Sequence, residues 1–275
     1  MRCYLARIAG LLLLTVSISA CGQGGVEVRD DHQLRAHLNR LSTSSVYFGH
    51  QSVGANMLAG VREMIAELDV GLIIQPAERN SPIVAPGIYE SRIGENRAPL
   101  TKITDFANTV RSFGQSGADV AMMKFCYVDT TADADPDTIF AQYVEQIERL
   151  ENEFPETTFV YMTMPLTSPS TDLRNRVRQI FGRMAMIDSG KRENLARNRF
   201  NELLRAAKGA TGRLFDVASV QSTKPDGSDY LVDVDGNAYE ALYHGYTYDG
   251  GHLNRRGRYV LARELISFLA TVDMP

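Results

Sequence analysis

The run Asp119-Val120-Ala121-Met122-Met123-Lys124-Phe125-Cys126-Tyr127 is apolar at almost every position. Strict alternation would mark a strand with one wet face. A continuous apolar run marks a strand covered on both faces, the interior strand of a parallel sheet. Parallel neighbours need long crossovers, usually helical, and the flanking sequence supplies them. Val46-Tyr47-Phe48 reads as a first strand, and Leu58, Val61, Ile65 and Leu68 follow it at one-face helical spacing. A second strand is expected at Val70–Ile74 and a helix from Pro99 to Phe113, with proline in the tolerated first turn. Phe140, Tyr143, Ile147, Leu150 and Phe154 mark another helix, Thr158–Met164 a fourth strand, Arg192–Lys208 a helix, Arg213–Val217 a fifth strand and His252–Leu269 the last helix. Strands alternating with helices give an α/β chain with right-handed crossovers and a mainly parallel sheet.

Between these elements lie segments without period. Pro76–Pro99 is rich in Gly, Pro and Asn and reads as a long loop, functional or disordered, around Arg92-Ile93-Gly94-Glu95-Asn96. Ser168–Gly190 is a polar excursion. The acidic stretch Asp129–Asp137 reads as a solvated loop and helix start. Tyr230–Val234 and Ala238–Leu242 flank Asp235-Gly236, a hairpin signal. Asp233–Asn237 begins like a calcium loop but lacks the later ligands, so no metal site is expected.

The N-terminus is set apart from the fold. Arg2 and Arg7 precede an apolar stretch, Ile8–Ile18, that is short for a membrane span. Ile18-Ser19-Ala20-Cys21 then resembles the lipobox of bacterial lipoproteins, in which the cysteine is lipidated after cleavage; plain signal-peptide cleavage after Ala20 is the other reading. Residues 1–20 are thus expected to be a signal peptide, 21–44 a lipidated tether and polar N-terminal helix, and 45–275 the folded domain. With Cys3 and Cys21 accounted for, Cys126 is the last of three cysteines, so no disulfide is available to the domain. Its apolar strand suggests a buried thiol. A net charge of −4 and the lack of any basic patch argue against a nucleic-acid partner.

Two stretches carry chemistry. In Val46-Tyr47-Phe48-Gly49-His50-Gln51-Ser52-Val53-Gly54 a buried strand ends in a turn that presents Ser52 at a helix start. A hydroxyl there sits among unpaired N–H groups that favour developing negative charge; helix capping is the other role for such a serine. In Asp249-Gly250-Gly251-His252 the spacing lets a carboxylate fold back onto an imidazole, as general-base catalysis by a serine hydrolase requires. Asp249 read alone could equally cap the last helix.

Together the two stretches resemble the SGNH/GDSL hydrolase family, over a region from about Ser45 to Leu269. In that family the nucleophilic serine follows the first strand, and an Asp-x-x-His block precedes the final helix. The second stretch matches well. The first is a variant, with Gln51 where the family has Asp and His50 where it has Gly. The resemblance implies a flavodoxin-like three-layer sandwich with a five-stranded sheet in the order 2-1-3-4-5, its site at the carboxyl ends of the strands beside the topological switch point. It implies Ser52 as nucleophile, His252 as base, Asp249 as the group that orients it, and no cofactor. It further implies an oxyanion hole built from the Ser52 N–H, a second-block glycine, for which Gly94 is the candidate, and an Asn after strand three. Val128 stands at that Asn position, followed by Asp129. Asn96 is the candidate replacement amide, with a turn or helix cap as its other role; His50 and Gln51 are further candidate donors.

The expected function is a cell-envelope serine esterase that removes acyl groups, such as O-acetyl groups, from a glycan or lipid. Two alternatives stay open: a weakly active or non-catalytic envelope protein that binds glycan in the same cleft, and an O-acyltransferase using the same residues. The expected partners are the acylated substrate and the membrane, reached through the lipid on Cys21, with the protein on the outer membrane facing the periplasm. A nucleophile-elbow hydrolase fits worse, because Gly49–Gly54 is not Gly-x-Ser-x-Gly.

Overall fold

Strand β1 (Ser45–His50) is buried along all its residues and pairs in parallel on both sides. The computed structural model describes residues 31–114, 117–131, 134–169 and 184–274. Cys21, the expected signal peptide and the 170–183 part of the polar excursion lie outside the described residues. Around β1 the elements follow as α1 (Asp31–Leu41), α2 (Val53–Leu68), β2 (Ile74–Pro76), β3 (Gly87–Arg92), α3 (Pro99–Ser112), β4 (Val120–Met123), α4 (Pro136–Glu153), β5 (Thr158–Met162), α5 (Met184–Lys208), β6 (Leu214–Phe215), α6 (Val217–Ser222), β7 (Leu231–Val234), β8 (Asn237–Glu240) and α7 (Arg255–Leu269).

The main sheet is parallel throughout, in the order β2-β3-β1-β4-β5-β6. Without its edge strand β2 this is the flavodoxin-like order. Successive residues of a strand point to opposite faces, and the core divides accordingly. Val46, Phe48, Val120, Met122, Val160 and Met162 join one cluster with α1, α2 and α7. Tyr47, Ala121, Met123, Phe159 and Tyr161 join the other with α3, α4 and α5. The result is a three-layer α/β/α sandwich. Truncating a fully buried ring such as Phe48 costs about 3–5 kcal/mol in such a core.

The structure corrects the expected strand count from five to six. The segment read as an unstructured loop, Pro76–Pro99, contains β3, and β3 rather than the Val70–Ile74 strand lies beside β1. The second strand is displaced to Ile74–Pro76, at the edge, where proline is tolerated. The β3 strand is hidden in the sequence because its second half is polar. Glu90 and Ser91 turn their side chains to His50 and Tyr47 instead of to an apolar layer. Two other strands are shorter than expected. The β4 ladder ends at Met123, before a turn at Tyr127–Asp129, and Val217 opens a helix capped by Asp216 instead of ending a strand. The hairpin forms as read, with Asp235 and Gly236 both at positive φ. The N-terminal helix packs into the domain, burying Leu34, Leu38 and Leu41.

The chain leaves β1 towards β3 on one side and enters β4 on the other, so the topological switch point lies between β1 and β4. Their carboxyl ends deliver Ser52 and Tyr127 to one crevice.

Candidate active site

Ser52 stands between β1 and α2 with φ 49° and ψ −102°, a conformation that costs a non-glycine residue about 1–3 kcal/mol. Its side chain makes no capping bond to α2. Instead Oγ lies 2.7 Å from His252 Nε2. On the far side of the ring, His252 Nδ1 lies 2.7 Å from Asp249 Oδ2. These contacts fix the tautomer: Nδ1–H donates to the carboxylate, and the Nε2 lone pair faces the serine hydroxyl. The other oxygen of Asp249 accepts from the backbone N–H of Gly251 at 2.9 Å and of His252 at 2.7 Å. Burial pushes the Asp249 carboxyl up, but its bonds from the His252 ring and the two backbone N–H groups prevail and hold it below the ordinary carboxylate range. The cap of α7 is Asn254, which accepts from Gly257 N–H at 3.0 Å. Asp249 is therefore free of that duty.

The glycine pair between Asp249 and His252 has two distinct reasons. Gly250 adopts φ +94°, which disfavours any side chain. At Gly251 a Cβ would meet the Tyr127 ring at 2.6 Å. Tyr127 packs edge-on to His252, ring centroids 5.5 Å apart. Its hydroxyl is 3.4 Å from Nδ1, too long for a strong bond. Burial pushes its phenol up to about 12, so it stays neutral. On the outer side, Tyr248 stacks on His252 with an interplanar angle of 14° and is 69% exposed. The imidazole is thus walled by two aromatic rings, one facing solvent.

The candidate oxyanion donors fare differently. The Gly94 N–H is engaged by Asp105 Oδ2 at 2.8 Å, which takes that donor away from the expected role. Gln51 gives its amide hydrogens to the carbonyls of Ile93 and Gly94, at 2.7 and 2.6 Å, so it clamps the second-block loop to the nucleophile's turn and has none left to donate. His50 is buried, and its Nε2 lies 2.8 Å from Glu90 Oε2, to which it donates. Two candidates keep a free donor among the described residues: the Ser52 N–H and the Asn96 amide. Asn96 does not cap α3; its Oδ1 accepts from Lys102 Nζ at 2.9 Å.

Sequence reasoning sets Tyr127–Asp129 beside the crevice but misses Lys102 and its pairing with Asp129; the two side chains are fully enclosed, 2.6 Å apart. Asp129 was expected in a solvated loop, and the structure corrects this: it holds Lys102 and the N–H groups of Arg97 and Cys126. Lys102 follows Pro99 on an otherwise ordinary amphipathic helix, and no local signal separates it from a surface lysine. Cys126 is buried. Among the described residues no cluster of three or more His, Cys, Asp or Glu side chains is placed to hold a metal.

The sheet order and the position of Ser52 at its switch point define an α/β protein with a flavodoxin-like fold. No protein-family model matches the sequence, and no curated protein matches it. Solved structures do. A protein from Streptococcus pneumonia assigned as a platelet activating factor is 14% identical, with a TM-score of 0.48 over 88% of this chain and 94% of that one. A Desulfitobacterium hafniense DCB-2 protein assigned to the lipolytic G-D-S-L family is 8% identical, with a TM-score of 0.43 over 82% of this chain and 99% of that one. The salicylyl-acyltransferase SsfX3 from a tetracycline biosynthetic pathway is 14% identical, with a TM-score of 0.39 over 82% of this chain and 53% of that one.

Proposed function

We propose that this chain is a serine esterase that works by acyl transfer through Ser52. The carrying observation is the unbroken line of contacts Ser52 Oγ–His252 Nε2 and His252 Nδ1–Asp249 Oδ2, both 2.7 Å, at the end of a buried central strand. In this reading His252 takes the Ser52 proton as Oγ bonds to the ester carbonyl carbon. Asp249 steadies the imidazolium that forms. The carbonyl oxygen becomes an oxyanion facing the Ser52 N–H and the Asn96 amide. Collapse breaks the ester C–O bond, and His252 passes its proton to the departing alcohol. Water then repeats the sequence on the acyl-serine, giving a carboxylic acid and free enzyme.

The lipobox-like Ile18–Cys21 stretch supports attachment of Cys21 to a bacterial envelope membrane, on the outer membrane facing the periplasm. That placement favours an O-acylated glycan or lipid as substrate. Labelling with a fluorophosphonate probe tests the reading without knowledge of the substrate. The wild-type protein should be labelled at Ser52 and Ser52→Ala should not; an unlabelled wild type sinks the proposal.

A further inference from the structure

The Lys102–Asp129 pair lies directly behind the loop that carries Asn96, and the proposed chemistry does not use it. A buried ion pair is tolerable only when its remaining lone pairs and protons are satisfied. Asp129 accepts from Lys102 Nζ through both oxygens, at 2.9 and 2.6 Å, and from Arg97 N–H and Cys126 N–H at 3.0 and 2.6 Å. The third bond from Lys102 Nζ goes to Asn96 Oδ1, at 2.9 Å. The two ends of a carboxamide have nearly the same shape, and a half-turn of the side chain exchanges them. An ammonium group tells them apart, because it has only donors. It accepts the oxygen end and sends the NH2 end the other way.

We infer that Lys102, held by Asp129, is a positioning residue that fixes the Asn96 amide with its NH2 towards the oxyanion. The inference rests on the serine-esterase reading and adds to it how the missing third-block Asn is replaced. The loop is tied to the reacting groups from two sides. Gln51, next to Ser52, bonds the carbonyls of Ile93 and Gly94. The turn that ends in Asp129 begins with Tyr127, which packs on His252. A cation on the amide oxygen also polarises the group and strengthens its N–H as a donor. In this arrangement the residue after Val128 does not touch the oxyanion; it sets the loop whose amide does.

Asn96→Asp is the discriminating variant. It keeps an oxygen for Lys102 and puts a charged acceptor oxygen in place of the donor. With a small activated acetyl ester, kcat should fall about 10²–10³-fold while KM stays within about threefold, and the urea midpoint should not drop. A kcat within about threefold of wild type overturns the inference, since a purely structural tie survives this change. Should Asn96→Asp not fold, a cycle decides. The neutral pair Lys102→Met with Asp129→Asn should lower kcat at least about 10-fold, and Asn96→Ala should then add little, because Lys102 acts through Asn96. Additive losses overturn it. Ser52→Ala run beside these variants separates the two levels. Hydrolysis that persists in Ser52→Ala removes the esterase reading and this inference with it. An inactive Ser52→Ala beside a fully active Asn96→Asp removes the oxyanion role of Asn96, and with it that of Lys102, and leaves the Ser52 nucleophile standing.

Discussion

Leu253 N–H donates to Asn56 Oδ1 at 3.0 Å, joining the loop that carries His252 to the first turns of α2, the helix that starts beside Ser52. The two halves of the candidate triad are 200 residues apart in sequence, and this bond sets their spacing independently of the reacting atoms. Asn56→Ala should lower kcat about 10–100-fold, because displacement of a catalytic group by about 1 Å costs up to that much. Stability should fall by only about 1–3 kcal/mol, the cost of an orphaned N–H. Steady-state kinetics with a urea titration reads both quantities. Normal kcat in a destabilised protein would assign Asn56 to folding alone.

The triad itself should behave as a unit. Ser52→Ala and His252→Ala should each abolish nearly all hydrolysis of an activated acetyl ester while circular dichroism stays native. The double mutant should be little worse than either single change. Asp249→Asn should cost up to about 10⁴-fold in kcat by stabilising the wrong tautomer of His252. Full activity in Ser52→Ala would require another nucleophile.

Acid should destabilise this fold through a pair next to the nucleophile. Burial pushes His50 below its ordinary value of 6.5. The bond from His50, working against burial and helped by Arg62, lowers Glu90 from 4.5 to about 2. Both folded values lie below the unfolded ones, so on acidification the unfolded chain takes up more protons. Their stabilisation is whole above pH 6.5 for His50 and 4.5 for Glu90, and it is lost as pH falls towards the folded values. The urea midpoint should therefore decline from pH 7 to pH 3. Glu90→Gln should flatten the lower part of that decline, and an unchanged slope would remove Glu90 as a cause.

Lipid attachment is tested apart from catalysis. Expressed in a bacterium that processes lipoproteins, Cys21→Ser should yield protein without lipid, released from membranes or left uncleaved, and esterase activity per folded molecule should be unchanged. Mass spectrometry of the mature wild-type protein decides it: an N-terminus without a diacylglyceryl group at Cys21 rules the anchor out.

What was legible in the sequence followed from periodicity and local spacing. The interior strand at Val120–Met123, the longer helices and the Asp249–His252 block each state their structure within a few residues. Ser52 was legible because a strand, a turn and a helix pattern meet there. What stayed hidden depends on partners far along the chain. The β3 strand is polar where it feeds Glu90 to His50, and periodicity cannot register a strand whose side chains serve a site. Lys102 and Asp129 lie 27 residues apart and bury each other's charge, whereas each read alone belongs on the surface. The committed Gly94 N–H is equally a tertiary fact, since Asp105 reaches it from the next helix.

Gly251 offers a steric test of the aromatic wall. A Cβ there would stand 2.6 and 2.8 Å from two ring carbons of Tyr127 and 2.9 Å from its hydroxyl oxygen, whereas ordinary contacts are 3.4–4 Å. Either the ring or the loop must move by close to an ångström, and the loop carries Asp249 and His252. Gly251→Ala should therefore reduce kcat about 10-fold or more, with a small change in KM. Gly71→Ala is the matched control, because a Cβ at Gly71 meets nothing within 4 Å; its kcat should equal wild type. Tyr127→Leu removes the atoms that collide, so in the Gly251→Ala background it should recover part of the lost kcat, although alone it should not raise activity. Recovery identifies the Tyr127 ring as the support that sets the His252 loop. If Gly251→Ala retains full kcat, the loop has another support, and the contact between Tyr127 and His252 is incidental to turnover.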